Sequence, residues 1–298
     1  HQRGITPAIV RTFALGFAPD VYFNNDKKNE WGKGSLVERL QEMKFTPEEI
    51  LDAGLATVTS KARSRLQMSA VGTSLDEKDI STITMNGSPR NETEVIKTKD
   101  KGTKMDQLQY ADLMDRFRSR LMVPIFDPSG RFVVGFGGRH LESTTIHKEK
   151  SNGKDSFVAA KYMNTPETPV FAKKNILFGA HAASAAIEER ARMKRSADRE
   201  SQVSESNDVP TVVIVEGYMD AITLYGAGIK EVVASMGTAL TPTQMKAASS
   251  VLAGRGRIVL CLDNDEAGIN AVERICTGSH IWDFLEQTAV EVEVVSLP

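Results

Sequence analysis

Apolar and polar positions fall into two regimes along this chain. In its last third, short runs of Val, Ile, Ala and Leu alternate with stretches that read as helix, predicting strands at residues 211–215, 231–234, 258–262 and 290–295. Helices are expected at 219–225, 242–252 and 267–276, the second capped by Thr241 with Gln244. Alternating strands and helices imply right-handed crossovers and a largely parallel sheet with helices on both faces. Nearly continuous apolar strands belong at the centre of such a sheet.

The first part is patchier. Residues 5–16 carry Thr6 as N-cap, Pro7 at the first helical position and Gly16 placed to end the helix. Ser35 with Glu38, and Thr46 with Glu49, fit capping boxes that open short helices at 36–44 and 47–53, the second stopping at Gly54. Runs at 121–126 and 131–136 bracket Asp127, Pro128, Ser129 and Gly130, a β-hairpin pattern. Another helix is expected at 181–193. Three polar segments, near 57–108, 143–156 and 194–208, hold too few large apolar residues to offset the entropy of ordering and read as mobile insertions. The fold class is therefore α/β: a mostly parallel sheet flanked by helices, preceded by a mixed α+β subdomain.

Charge sharpens this picture. The strand at 211–215 runs into Glu216, with Asp220 one helical turn beyond, and the strand at 258–262 runs into Asp263 and Asp265. In open α/β sheets ligands bind at the carboxyl ends of strands, and carboxylates gathered there call for a cation. Oxygen donors without nearby His or a Cys pattern select Mg2+ or Mn2+, with two or more ions expected, and no zinc site lies in this segment. A plainer reading is also open: either Asp could cap the helix starting near residue 267. Gly135, Gly137 and Gly138 before Arg139 would let the backbone pass close to something, or simply bend an edge strand. Lys161 and Lys173, taken alone, read equally as surface charges.

The 37 basic and 39 acidic residues in 298 exclude a wholesale polycation while allowing a local basic groove. Two cysteines without ligand spacing point to a reducing compartment. No apolar run reaches the roughly 18–20 residues that span a bilayer, so no membrane partner is expected. The absence of a signal or transit pattern and a first residue of His suggest an excised internal region of a soluble protein.

The pair VEGYMD and DNDEAG, separated by ASMGTALT, resembles the TOPRIM domain of bacterial-type (DnaG-type) DNA primases. Upstream, GITPAIVRTFALGFAP, DRFRSRLMVPIFDPSGRFVVGFGGR and KYMNTPETPVFAKKNILFG resemble the rest of that family's RNA-polymerase core, in the same order. The resemblance implies a primase-core subdomain at 1–178 and a TOPRIM catalytic subdomain at 179–298. It implies Glu216, Asp263 and Asp265 as metal-binding catalytic carboxylates supported by Asp220. Arg139, Lys161 and Lys173 would meet nucleotide or nucleic acid, with Arg116 and Arg118 on the same surface. Arg116, Arg118 and Arg120, if extended, would share one face of a strand as a template track. Asn264 and Glu266 stand where the family's pattern has Gly and Arg.

The implied activity is metal-assisted synthesis of short RNA primers from ribonucleoside triphosphates on single-stranded DNA. Alternatives are a TOPRIM nuclease or topoisomerase, or a catalytically silent nucleic-acid-binding module. A replicative helicase would dock through a region absent here. The compartment implied is the bacterial cytoplasm or nucleoid, or, from the long polar insertions, a plastid or mitochondrion.

Overall fold

The computed structural model describes residues 4–20, 34–71, 108–141, 160–201, 209–237, 240–263, 266–277 and 286–295. The chain divides into two compact units. The first comprises 1–16, 121–138 and 170–298, and the second 17–120 and 139–169.

The first unit is built on four parallel strands, β7 (Thr211–Val215), β8 (Val232–Ala234), β9 (Arg255–Leu260) and β10 (Ala289–Val294). Their order is β10-β9-β7-β8, with Val213 opposite Val232 on one side of β7 and Val259 on the other. Strand β7 is apolar at every position after Thr211 because both its faces are covered. Val212 and Ile214, with Ile258 and Leu260, pack on α5 (Ala180–Ser201), α7 (Pro242–Val251) and α8 (Glu266–Thr277) through Ala183, Met245, Ala248 and Ile275. Val213 and Val215 face α1 (Pro7–Thr12) and α6 (Tyr218–Gly226) through Ile9, Phe13, Met219 and Ile222. Each such side chain contributes about 1.5–3 kcal/mol on burial, so the double-sided core fixes β7 in place.

Residues 121–138 of this unit carry most of β4 (Arg120–Phe126) and β5 (Val133–His140), adjacent strands joined by the expected turn. Asp127 organises that turn. Its carboxylate accepts the N–H groups of Ser129, Arg131 and Phe132 at 3.3, 3.0 and 2.9 Å and the Ser129 hydroxyl at 2.5 Å, while Gly130 takes φ +70°. The Ser129 hydroxyl first, and the Phe132 N–H next, hold the Asp127 carboxyl down at about 2. Gly135 and Gly137 lie within β5. A Cβ on Gly135 would come 3.1 Å from the Phe171 ring, and one on Gly137 2.8 Å from the Tyr218 ring. The close approach read from the glycines is thus to two aromatic rings.

The second unit holds β1's last residues (strand Gly16–Ala18), α2 (Leu36–Glu42), α3 (Pro47–Asp52), β2 (Ala56–Val58), α4 (Ser60–Val71), β3 (Leu113–Asp115) and β6 (Tyr162–Asn164). Both expected capping boxes are present, Ser35 with Glu38 and Thr46 with Glu49. Buried Asp115, on β3, accepts the Leu36 and Val37 N–H groups at 2.8 and 3.0 Å, tying α2 to a strand 78 residues away. Val37, Ile50, Ala56 and Leu113 form its core.

Several elements differ from expectation. Helix α1 ends at Thr12, short of the expected stop just before Gly16, because Ala14 turns the chain at φ +49° and Gly16 opens β1. The polar segment from residue 57 begins as β2 and α4: the Thr59 hydroxyl accepts the Ala62 N–H at 3.3 Å, Ala62 is buried, and Lys, Ala, Arg and Leu favour helix without an apolar face. Residues 72–107 lie outside the described residues, as does the segment 143–156. Helix α5 continues to Ser201, so the expected loop from 194 starts as helix; Ala, Glu, Lys and Arg favour helix. Residues 202–208 are not described. The stretch 116–119 is not a strand either: Ser119 has φ +51° and β4 starts at Arg120.

Candidate active site

The order β10-β9-β7-β8 means the chain leaves β7 to one side, for β8, and returns on the other, for β9. That reversal between β7 and β9 is the topological switch point at which open parallel sheets bind ligands. Glu216 follows β7 and Asp263 lies three residues past β9, at the carboxyl ends of these two neighbours.

The structure joins them. A Glu216 carboxylate oxygen, Oε1, accepts the Asp263 N–H at 3.1 Å. The Glu216 carbonyl accepts the Gly237 N–H at 3.0 Å and the Ser235 hydroxyl at 3.4 Å, so the residue is held by backbone groups following both β8 and β9. Glu216 is half-buried and Asp263 exposed. Gly268, two residues into α8, is buried at the same point: a Cβ there would collide with the Asp263 carbonyl and stand 3.2 Å from Glu216 Oε1. The glycine lets α8 close under the carboxylates. Its spacing in DNDEAG was visible, but the reason for it required β9 to lie beside β7.

Asp220, exposed on the first turn of α6, folds back over its own N-terminus, where its carboxylate would meet a Cβ on Gly217 at 2.5 Å. The position suits an anion, since the first-turn N–H groups are partly positive. Burial, then the Asp263 carboxylate, pushes the Cys261 thiol up from its ordinary range, as expected beside negative charge. Asp265 lies outside the described residues. Among the described residues no three His, Cys, Asp or Glu side chains gather closely enough to form a metal cluster. The donor set that is described, carboxylate oxygens without sulfur or imidazole, matches a hard divalent ion.

Lys173 sits in the same unit, on a 3-10 turn (Lys173–Asn175) before α5. Burial lowers its ammonium below the usual lysine range. The turn is tied to the start of α7: Gln244 Nε2 lies 3.2 Å from the Lys173 carbonyl, and the Thr241 hydroxyl donates to the Lys174 carbonyl at 2.7 Å.

The remaining basic residues belong to the second unit, and Arg139, Lys161 and Arg116 lie at β6. Arg139 Cζ and Lys161 Nζ each lie 5.7 Å from the centroid of the partly exposed Tyr162 ring. Arg116 Nη2 reaches the Asn164 carbonyl at 3.4 Å, and burial lowers its guanidinium from the ordinary range. Arg139 Nε, Arg116 Nε and Asn164 Oδ1 are buried without a hydrogen-bond partner. Arg118 turns to the Met114 sulfur at 3.3 Å. Arg120 is not part of a template track: only 4% exposed, it donates to the Ala160 and Lys161 carbonyls at 2.8 and 3.5 Å and is a structural cation. Tyr162 escaped the sequence reading, although an aromatic directly after Lys161 was a visible signal.

Known proteins resemble this arrangement. Residues 73–184 match the DNA primase catalytic core, N-terminal domain, and residues 213–298 match a Toprim-like domain. A DNA primase of Synechococcus elongatus is 40% identical over 62% of this chain and 21% of its own length, and one of Clostridium acetobutylicum is 27% identical over the whole chain and 32% of its own. This chain thus spans about a fifth to a third of those relatives. Among solved structures, the RNA polymerase domain of Mycobacterium tuberculosis primase DnaG aligns with TM-score 0.59 and 25% identity over 99% of this chain and 66% of that one. The same domain has been solved with a double-stranded DNA oligomer carrying a 6-nucleotide overhang, at TM-score 0.58 and 25% identity over 99% of this chain and 63% of that one.

Proposed function

Because this chain carries a DnaG-type primase catalytic core followed by a Toprim domain, we propose that it synthesises short RNA primers on single-stranded DNA. The observation that carries this reading is the pairing of Glu216 with the Asp263 backbone at the switch point of the parallel sheet, 3.1 Å apart. Divalent ions are typical of both families. Here Glu216, Asp263 and Asp265 would hold Mg2+ or Mn2+, which when bound lowers the pKa of an attacking hydroxyl and offsets charge on the departing pyrophosphate. Asp220 adds negative charge beside Glu216.

The other residues position substrate. Lys173, half-buried and lacking an acceptor among the described residues, suits a triphosphate oxygen. Arg139 and Lys161 flank an aromatic face, the combination that holds single-stranded nucleic acid by charge and stacking. Arg116 and Arg118 would extend that surface. In functional terms, residues 1–178 form the primase-core subdomain and 179–298 the Toprim subdomain. A replicative helicase would be recruited by a part of the protein other than these residues.

Burial counts against a topoisomerase reading. Tyr218, the tyrosine within the VEGYMD block, is 4% exposed with its ring against Gly137 and Phe178, so its hydroxyl does not reach a DNA phosphate. Incubation with single-stranded template, labelled ribonucleotides and Mg2+ or Mn2+ tests the proposal. Short RNA is expected; cut DNA, or binding without synthesis, would overturn it.

A further inference from the structure

One buried carboxamide ties the turn that carries Lys173 to the segment after β8 that contacts Glu216. Gln244, on the first turn of α7, is 0% exposed. Its Oε1 accepts the Thr241 N–H at 3.1 Å and so closes a helix cap. The Nε2 group, which a cap does not use, lies 3.2, 3.1 and 3.3 Å from the carbonyl oxygens of Lys173, Ile176 and Ser235. Two of these acceptors belong to the turn that carries Lys173. The third belongs to Ser235, whose N–H bonds the Val215 carbonyl at 3.0 Å and whose hydroxyl bonds the Glu216 carbonyl at 3.4 Å. Thr241 adds a fourth tie, from its hydroxyl to the Lys174 carbonyl at 2.7 Å.

We infer that Gln244 is a positioning residue that sets where Lys173 stands relative to Glu216. A carboxamide is suited to this. It presents an acceptor and a two-hydrogen donor in one rigid plane, so capping on one edge orients the donor edge towards three backbone oxygens. A cap alone would be equally served by Glu at this position, and Glu completes such boxes in α2 and α3. Here Glu would set a carboxylate against three carbonyl oxygens. The turn it holds is short, with no side-chain cap of its own, so its lysine depends on the tie from α7. Ordering Lys173 before substrate arrives removes an entropic cost from binding, the usual role of groups behind a substrate-contacting side chain.

The test has a structural arm and a functional arm, and only the second rests on the proposed contact between Lys173 and nucleotide. In the first, lysines of the folded chain are 13C-dimethylated and the Lys173 resonance, assigned with K173R, is titrated in wild type, Q244M and T241V. Met keeps the length of the side chain and loses its hydrogen bonds. The Lys173 amine is expected to titrate below the other lysines in wild type and to move back towards them in Q244M, with a smaller movement in the same direction in T241V, which preserves the carboxamide if Q244M does not fold. A Lys173 titration unchanged in the folded variants overturns the inference. In the second arm, Q244M and K173A should each raise the KM for ribonucleotide about tenfold, and the double variant hardly further, since coupled residues do not add. Additive effects would mark Gln244 as merely structural and overturn the inference. If the resonance moves but K173A leaves KM unchanged, positioning stands and the nucleotide role of Lys173 is what fails.

Discussion

The carboxylates of the first unit and the cations of the second are held in opposite ways. Glu216 is fixed through backbone groups from β8 and β9, so the strand order itself aims the acidic site. Arg139 and Lys161 instead flank the Tyr162 ring, and Arg139 Nε keeps an unsatisfied buried donor. The acidic site is prepared by the sheet, while the basic group retains a buried donor with no hydrogen-bond partner. Arg120 shows the contrast within the basic group: its donors are already committed to two carbonyls, so it belongs to the fold.

Five outcomes would break or sharpen this comparison. Glu216→Gln should reduce primer synthesis by about a hundredfold or more, the scale at which positioned charge acts in catalysis. Its circular dichroism and melting should stay as wild type, because the amide oxygen still accepts the Asp263 N–H; undiminished synthesis would remove Glu216 from the site. Arg120→Ala should cost about 2–3 kcal/mol in urea unfolding, by emptying a 4% exposed site and removing the charge-assisted hydrogen bonds to the Ala160 and Lys161 carbonyls. The same loss on Arg139→Ala would erase the distinction drawn between the two arginines. Gly137→Ala drives a Cβ into the Tyr218 ring and should cost about 1–3 kcal/mol.

Arg139→Ala should instead weaken single-stranded DNA binding and lower the slope of log affinity against log salt by about one, read by fluorescence anisotropy across a salt series. The smallest effect concerns the hairpin. Asp127 has a carboxyl held down at about 2, below its unfolded value of about 3.9, so its contribution is complete above the unfolded value and disappears as pH falls through about 2. Asp127→Ala should therefore melt slightly below wild type at pH 7, with the gap closing near pH 2. A gap independent of pH would mean that the turn does not rely on the carboxylate.

Much of the local structure was legible because its causes lie within a few residues. Thr6, Ser35, Thr46 and Thr241 each cap the helix expected of them, and the four parallel strands lie within a few residues of their apolar runs. Polar composition misled at 60–71 and 194–201, where helix-forming side chains do not need an apolar face to continue a capped or anchored helix. The arginines at 116–120 misled for a different reason. Alternation implies a shared face only in an extended chain, and Ser119 in a left-handed conformation breaks it.

By itself the sequence determined that two apolar strands end in carboxylates, since strand length and burial follow from runs of Val and Ile. It also carried the family's motifs in order. Only the tertiary structure decided that the Asp263 N–H after β9 meets the Glu216 carboxylate, that Gly268 must lack a side chain, and that Gln244 reaches the turn of Lys173. Strand order follows from covering both faces of β7 at once, a condition met by residues from Ile9 to Val290 acting together. No window of neighbouring residues contains it.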